Sequence, residues 1–315
     1  MLSRVAENIY WMARYLERAE NTARLVSVNS TLLLDLPRGY ELGWLPLVDI
    51  TGSRELFDQH KHRSDERDVV QFLLADTANP GSIASSLTAA RDNARTLRDL
   101  LPTEAWELLN QFFQEFTDTL DSGLNKRTRY KFLQQVVLTS QALNGVLAGT
   151  MSRTDAYTFM LIGRNLERAD MTSRIVDVRA SQVLPASADL QPFRTIQWTS
   201  VLRSLSGQHM FRLTRRVRVS RADALDFVLR DEQFPRSCLF NLHQLEECLR
   251  PLPHNTEAIK TLMGACRYLK AADLAGMDPD GLHQLLDKLQ VYISDVHGDI
   301  ARAYFPAPVR MQAQG

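Results

Sequence analysis

Residues 13–26 of the chain read ARYLERAENTARLV, and residues 163–176 read GRNLERADMTSRIV. The two stretches are identical at eight of fourteen positions, which are Arg14/Arg164, Leu16/Leu166, Glu17/Glu167, Arg18/Arg168, Ala19/Ala169, Thr22/Thr172, Arg24/Arg174 and Val26/Val176. Their offset of 150 residues is far longer than the period of a solenoid repeat. We therefore interpret the duplication as the mark of two related half-units, each built around one copy.

Each copy of the motif lies within a long predicted helix. Apolar side chains recur every three or four residues over 5–26, which is the spacing of one helix face. This pattern predicts a helix over 3–34 that ends before Pro37, and a second helix is predicted over 153–183, ending before Pro185. The apolar face of each helix must pack against another helix.

The rest of the chain also reads as helices separated by proline and glycine, and no alternating strand pattern competes with them. The predicted segments are 66–76, 82–101, 103–121, 127–148, 193–205, 221–229, 236–249, 256–270 and 282–305. We therefore predict an all-α fold: a multi-helix bundle with two related half-units, each carrying a long helix with a Leu-Glu-Arg-Ala motif. We expect one domain over 1–315, with possible sub-units 1–150 and 151–305 and a hinge near 181–192, where Ser, Ala and Pro are concentrated.

The composition is that of a globular protein with a sizeable core. Of 315 residues, 44% are hydrophobic, and 37 Lys and Arg balance 37 Asp and Glu. This balance gives no overall attraction to nucleic acid or to an anionic membrane, so we expect neither as a partner. We find no run of about 18 apolar residues and no signal-peptide pattern, and the three cysteines are too few for a disulfide framework. These features predict a cytoplasmic location.

The motif also places polar side chains at helical spacing, on a stripe roughly opposite the apolar one. In the first copy the stripe consists of Tyr10, Arg14, Glu17, Asn21 and Arg24, and in the second of Met160, Arg164, Glu167, Met171 and Arg174. If the two helices lie side by side about a pseudo-twofold axis, the Arg and Glu side chains of one helix meet those of the other in fork-to-carboxylate bonds. The expected ion pairs are Glu17 with Arg164 or Arg174, and Glu167 with Arg14 or Arg24.

Two interpretations of this stripe stay open. In the first, the charges form ion pairs between helices that fix the register of the packing. In the second, the arginines retain spare donors that hold an anionic ligand such as a carboxylate or a phosphate. The candidate ligand-binding residues are Arg14, Glu17, Arg18, Asn21, Arg24, Arg164, Glu167, Arg168 and Arg174. We expect no metal there, because no His lies within a turn of the paired acids and the arginines repel a cation.

Two further basic features stand outside the motif. The run RLTRRVRVSR occupies 212–221, and Arg91, Arg95 and Arg98 form a stripe at helical spacing. Each is typical of a loop or helix face in contact with water. Each would also suit the docking of an acidic partner or an anionic substrate.

The Leu-Glu-Arg-Ala core of both copies, with the opening LSRVAENIYWMARYLERAENTAR, resembles the Alpha-E domain family, bacterial helical proteins named for their Glu-Arg motifs. Residues 82–110 are similar to the central segment of that family, and FPRSCLFNLHQLE at 234–246 is similar to its Pro-Arg-Ser stretch. Two departures separate the copies. Ala13 stands where the second copy has Gly163, and Asn21 stands where it has Met171. The second departure weakens the idea that both copies bind the same ligand.

The resemblance implies an all-helical protein that is encoded near a circularly permuted ATP-grasp ligase and often near a transglutaminase-like protease. It supplies no catalytic residues. Our first hypothesis is an accessory protein that holds a peptide or a carboxylate-bearing substrate beside the ligase. The alternatives are an enzyme of the same pathway that uses Glu17 or Glu167 as acid or base, and a purely structural interaction module. We expect no cofactor, and the sequence has neither GxxxxGK[ST] nor GxGxxG, the glycine-rich loops that bind nucleotides.

Overall fold

The computed structural model of the chain describes residues 2–36, 42–60, 63–183, 190–216 and 218–305. Within these ranges the chain forms fourteen α-helices and no strand, which confirms the all-α prediction. The helices are α1 Ser3–Asp35, α2 Pro46–Ile50, α3 Arg54–Gln59, α4 Glu66–Leu74, α5 Ile83–Arg95, α6 Thr103–Leu124, α7 Arg129–Thr150, α8 Asp155–Ser181, α9 Gln191–Ser204, α10 Gln208–Arg215, α11 Arg221–Arg230, α12 Cys238–Leu249, α13 Thr256–Ala271 and α14 Pro279–Tyr304. None of the helices in the described ranges carries an apolar stretch long enough to span a membrane.

Most predicted helices agree with the structure within a few residues, and the differences have local causes. The helix predicted over 82–101 stops at Arg95, because a series of short turns follows it as far as Pro102. Thr96 begins these turns by donating its hydroxyl to the carbonyl of Asn93. Helix α10 was not among the predicted helices, and it includes the first part of the basic run, which we expected to form a loop or a helix face in contact with water.

Helix α1 lies at the centre of the bundle. It packs against α5, α7, α8 and α9, and every residue from Ala19 to Val26 is buried. A helix that is enclosed on all sides has no solvent face on which to place its charges. The polar stripe of the first motif is therefore inside the protein.

The two motif helices, α1 and α8, pack closely against each other, as expected. Their buried apolar residues belong to one continuous hydrophobic cluster with those of the other helices. The proposed sub-units 1–150 and 151–305 stay a prediction. The proposed hinge near 181–192 includes 184–189, which lie outside the described residues.

Gly163 marks the closest approach of α8 to α1. A Cβ atom built on Gly163 would lie 2.2 Å from the backbone carbonyl oxygen of Tyr10. No side chain fits there without moving one of the two helix backbones. This contact explains why the second motif begins with glycine, whereas the first has Ala13 at the matching position.

Replacing this glycine tests the packing of α1 on α8. We expect Gly163→Ala to lower the free energy of unfolding by about 1–3 kcal/mol, because the added methyl forces the helix backbones apart. Gly145 in α7 is the matched control, since a Cβ there meets nothing within 4 Å. Gly145→Ala should instead raise stability by about 0.5–1 kcal/mol through helix propensity alone. Urea denaturation of both variants measures the difference, and equal effects would contradict the close approach.

Candidate functional site

Two buried carboxylates, Glu17 and Glu167, form the centre of the site. Each side chain is only 1% exposed, and each is bound by an arginine of the opposite motif helix. Arg18 donates from Nε and Nη2 to the two oxygens of Glu167, over 2.6 and 3.1 Å. Arg168, at the matching position of α8, donates from Nε to Glu17 over 2.9 Å. The two Glu-Arg pairs therefore cross between the helices reciprocally.

Glu167 has a second arginine partner in α1. Arg14 donates from Nε to Glu167 over 2.7 Å. The guanidinium of Arg14 also lies over the ring of Trp11, at 4.9 Å from its centroid, and donates to the hydroxyl of Tyr10. That hydroxyl is in turn 2.7 Å from Nδ1 of His297 in α14. Aromatic contacts and hydrogen bonds thus hold the Arg14 side chain in one orientation.

Glu17 has a second partner from outside the motif, Arg236. Its Nη1 donates to Glu17 over 2.7 Å and to Asn21 over 2.9 Å, and its Nη2 donates to Glu20 over 2.7 Å. Arg236 is 8% exposed, so its side chain closes this half of the network against water. A buried ion pair needs such additional hydrogen bonds to offset the loss of hydration.

Arg236 lies at the end of the loop that leads into α12, and two hydrogen bonds fix the backbone there. Ser237 caps that helix by accepting a hydrogen bond from the amide of Phe240. The backbone carbonyl of Arg236 accepts the hydroxyl of Thr172, one of the residues that the two motifs share. The motif helix α8 thereby fixes the backbone from which Arg236 reaches α1.

The observed ion pairs differ in part from those that the sequence predicts. Glu167 does meet Arg14, as expected, but its second partner is Arg18. The pairing of Glu17 with Arg164 or Arg174 is wrong, because Glu17 pairs with Arg168 and Arg236 instead. Of the two partners expected for Glu167, Arg14 is confirmed and Arg24 pairs elsewhere.

The mispredicted arginines have other environments. Arg24 and Arg174 each bind an acid four residues earlier on their own helix, Glu20 and Asp170, which is the nearest partner that helix geometry offers. Arg164 has a buried Nε with no hydrogen-bond partner, since Arg168 and Arg236 occupy the carboxylate of Glu17.

Both central carboxylates are held in the ionised form. Burial by itself would raise the pKa of Glu167, but the charges and hydrogen bonds of Arg18 and Arg14 outweigh it and lower that pKa to about 2. Burial opposes ionisation of Glu17 in the same way, and the charges of Arg168 and Arg236 lower its pKa to about 2. Neither group exchanges a proton readily near neutral pH, which is what a general acid or base has to do.

A polar cleft of about 330 Å³ lies beside the Glu167 half of the network. Three motif arginines line it, Arg14, Arg18 and Arg174, together with Glu167, Asp170 and Met171. The loops 50–53 and 80–81 form its other wall. The cleft therefore brings the guanidinium groups of both motif helices into contact with solvent at one place.

The two motif copies thus have different surroundings. In the first copy the Glu20–Arg24 pair is buried, at 0% and 6% exposure, and Arg236 covers it. The matching pair in the second copy, Asp170–Arg174, is 19% and 34% exposed and lines the cleft. One copy is sealed by an arginine of the chain itself, whereas the other faces an open space.

Gly52 allows the cleft wall to approach Arg174. Its φ of +68° is in the left-handed region that favours glycine, and a Cβ there would lie 3.2 Å from Nη1 of Arg174. Any other residue at this turn would be strained by the positive φ, and its Cβ would make the guanidinium of Arg174 shift slightly.

The two basic features outside the motif are used within the protein. Arg215 of the basic run binds Asp226 and Asp231. Arg91 donates to Asn110 and Arg98 lies over a tryptophan ring, so the predicted stripe partly faces α6. We find no direct connection of either feature to the cleft, whose lining residues come from other segments.

Four residues of the network were absent from our candidates, and they are Glu20, Gln141, Asp170 and Arg236. Glu20 and Asp170 occupy matching motif positions as acids, so the repeat itself contained a signal for them. Gln141 lies in α7, and no pattern marks it. Arg236 is the arginine of the Pro-Arg-Ser stretch that the family resemblance singles out, but no spacing links it to the motif helices. Within the described residues, no cluster of His, Cys, Asp and Glu is arranged to hold a metal ion.

A family model described as a predicted alpha-helical domain with a conserved ER motif matches residues 1–305. This match confirms the resemblance drawn from the motif. The chain is also 23% identical, over an alignment 344 positions long, to uncharacterized protein Mb2597 of Mycobacterium bovis. The same identity is found with uncharacterized proteins MT2643 and Rv2567 of Mycobacterium tuberculosis. These alignments cover 98% of this chain but 38% of each relative, so the chain spans well under half of their length. No solved structure matches the chain.

The lowered pKa values predict a loss of stability in acid. Since the pKa of Glu167 falls from 4.5 to about 2 on folding, its contribution is present above pH 4.5 and is lost as the pH falls toward 2. We expect a loss on the order of 3 kcal/mol in the free energy of unfolding over this interval from this group. In Glu167→Gln the free energy of unfolding should fall less over the same pH interval, by the contribution that Glu167 makes. The variant should nevertheless be less stable than the unmodified protein at pH 7.

The exposed Glu107 in α6 supplies the control, because Glu107→Gln removes a carboxylate that lies in solvent. Urea denaturation at several pH values between 2 and 6 should give this control the same slope as the unmodified protein. An unchanged slope in Glu167→Gln would show that Glu167 does not carry the effect.

Proposed function

Because this chain belongs to the Alpha-E family, we propose that it is a non-catalytic helical protein that binds a carboxylate-bearing peptide and works beside an ATP-grasp ligase. The observation that carries this proposal is the polar cleft where Arg14, Arg18 and Arg174 reach solvent together. The sealed half of the network, around Glu17, acts as a structural support. The open half, around Glu167, acts as the binding site.

The charges in the cleft favour an anion. Three arginines face two carboxylates there, and both carboxylates already accept hydrogen bonds from those arginines. Among the described residues, Arg174 uses only Nε in its hydrogen bond to Asp170, which leaves its two Nη groups for a ligand. A planar guanidinium with two parallel donors matches the two oxygens of a carboxylate.

The size of the cleft favours the end of a peptide over a larger ligand. A volume of about 330 Å³ is near the lower limit of small-molecule sites in proteins. It accommodates a terminal carboxylate with one or two residues, while the rest of the peptide stays outside. The C-terminal carboxylate of a peptide is our proposed ligand.

The geometry supports binding more than catalysis. Glu17 and Glu167 are nearly inaccessible and stay ionised at neutral pH, so neither is suited to transfer a proton to a substrate. The sequence also has neither of the glycine-rich phosphate loops that we sought. We therefore assign the use of ATP to the partner ligase and the holding of the peptide to this chain.

The family supports the choice of partner. The resemblance implies a neighbouring circularly permuted ATP-grasp ligase and, often, a transglutaminase-like protease. The relatives from mycobacteria carry the matching part within a much longer chain, so the domain there is covalently joined to further sequence. Such an arrangement is what we expect of a domain that acts together with another module. The cytoplasm, our predicted location, supplies the nucleotide that the ligase needs.

Peptide binding can be measured by calorimetry with two versions of one peptide, with a free and with an amidated C-terminus. We expect the free peptide to bind at least tenfold more tightly, and its binding to weaken with added salt. Arg174→Gln should reduce the affinity about tenfold or more, because a charged hydrogen bond is lost. Arg95→Gln, which changes an exposed arginine of α5 away from the cleft, is the control. Equal affinity for both peptides would contradict the proposed function.

The partnership is tested separately with the purified ligase. We expect the chain and the ligase to associate in calorimetry or size-exclusion chromatography, and the chain alone not to bind ATP. Tight binding of ATP by the chain alone, or indifference to the ligase, would remove the ATP-grasp partnership while leaving the peptide site to its own test.

A further inference from the structure

A small, partly open cavity lies where α1, α8 and α9 meet. It has a volume of about 10 Å³ and is lined by residues that include Leu32, Arg179, Gln182 and Trp198. Such a space holds one particle of about the size of a water molecule. Its walls are apolar apart from a few polar groups, which decide what it can contain.

Those polar groups are unusual because they are buried and unpaired. Arg179 is 5% exposed, and its Nη2 donates to Asn29 over 2.8 Å, but its Nε and Nη1 have no hydrogen-bond partner. Trp198 is 2% exposed, and its Nε1 also has no partner. Buried donors without partners are rare in proteins, since each costs free energy.

The charge of Arg179 has no acidic partner among the described residues either. Its one hydrogen-bond partner among the described residues is the neutral amide of Asn29, and none of the ion pairs of the described residues includes Arg179. Burial lowers the pKa of Arg179 to about 10, which still leaves the group protonated at neutral pH. A buried cation of this kind requires an anion close by.

We propose that this cavity binds a single monoatomic anion of the chloride type, held by the guanidinium of Arg179 and the indole N–H of Trp198. A water molecule would satisfy the donors but would leave the charge of Arg179 unpaired. Phosphate, sulfate and carboxylate groups are too large for a space of about 10 Å³. The side-chain amide of Gln182 has an Oε1 without a partner. When this amide is turned over, so that its nitrogen and oxygen exchange places, its NH₂ group donates to the anion. This site is independent of the proposed peptide site and would exist without it.

The response of thermal stability to chloride tests the site. Potassium chloride is exchanged for potassium gluconate at constant ionic strength, because gluconate does not fit the cavity. We expect the melting temperature to rise by about 2 °C for each tenfold increase in chloride above its Kd. Bromide should act in the same way, and its anomalous scattering in a crystal would locate the ion beside Arg179.

Three variants separate this site from other effects of salt. Arg179→Met should abolish the response and still fold, because it removes an unpaired charge from the interior. Arg203→Met, in the neighbouring α9, changes an exposed arginine and should respond as the unmodified protein does. Arg174→Gln, at the peptide cleft, should also keep the chloride response, which distinguishes failure of this site from failure of the proposed function.

Three outcomes would overturn the proposal. One is a melting temperature that is the same in chloride and in gluconate, and another is a chloride response that persists in Arg179→Met. The third outcome concerns Glu41 and Asp189, which lie outside the described residues. If Glu41→Gln or Asp189→Asn destabilises the protein and creates a chloride response that was absent before, the chain supplies its own counter-ion.

Discussion

The reciprocal exchange of ion pairs between α1 and α8 is the constraint on which the rest of the structure depends. Glu17 and Glu167 are almost wholly buried, and a buried carboxylate is tolerated only with partners that are fixed in place. Arg18 and Arg168 supply those partners from the opposite helices. The helices must therefore lie side by side in one register. The surrounding helices complete the apolar shell in which these charges interact strongly.

Much of this arrangement was predictable from the sequence. Regular spacing of apolar residues located α1 and α8, and the repeated motif identified Glu17 and Glu167 and one of their arginine partners, Arg14. Their crossed partners, Arg18 and Arg168, were candidate ligand-binding residues but not expected ion-pair partners. The arginine partner of each carboxylate was harder to predict, because arginines three or four positions apart lie on almost the same face of a helix. The spacing led us to expect Arg14 or Arg24 as the partner of Glu167 and did not point to Arg18, since the pairing depends on the exact offset of two helices.

The contribution of Arg236 was beyond the reach of local patterns. It lies 219 residues from Glu17 along the chain, and the loop that precedes α12 carries it there. Nothing in the spacing of FPRSCLFNLHQLE indicates a contact at that distance. The early end of α5 was missed for a similar reason, since side-chain and backbone hydrogen bonds near Thr96 outweigh the helix propensity of the residues that follow. Tertiary contacts and local hydrogen bonds decided these details.

The close contact at Gly163 has a consequence for how the cleft can respond to a ligand. The neighbours of this glycine, Ile162 and Arg164, both have a Cβ atom. A change of register by one residue, which moves α8 by about 1.5 Å and rotates it by about 100°, would bring one of these Cβ atoms to the carbonyl of Tyr10. Such a change of register is thereby blocked, and the backbones that carry Arg14 and Arg174 keep one position relative to each other. If the cleft binds a peptide end as proposed, this frame of constant width would discriminate ligands by their length, because only the guanidinium rotamers can adjust.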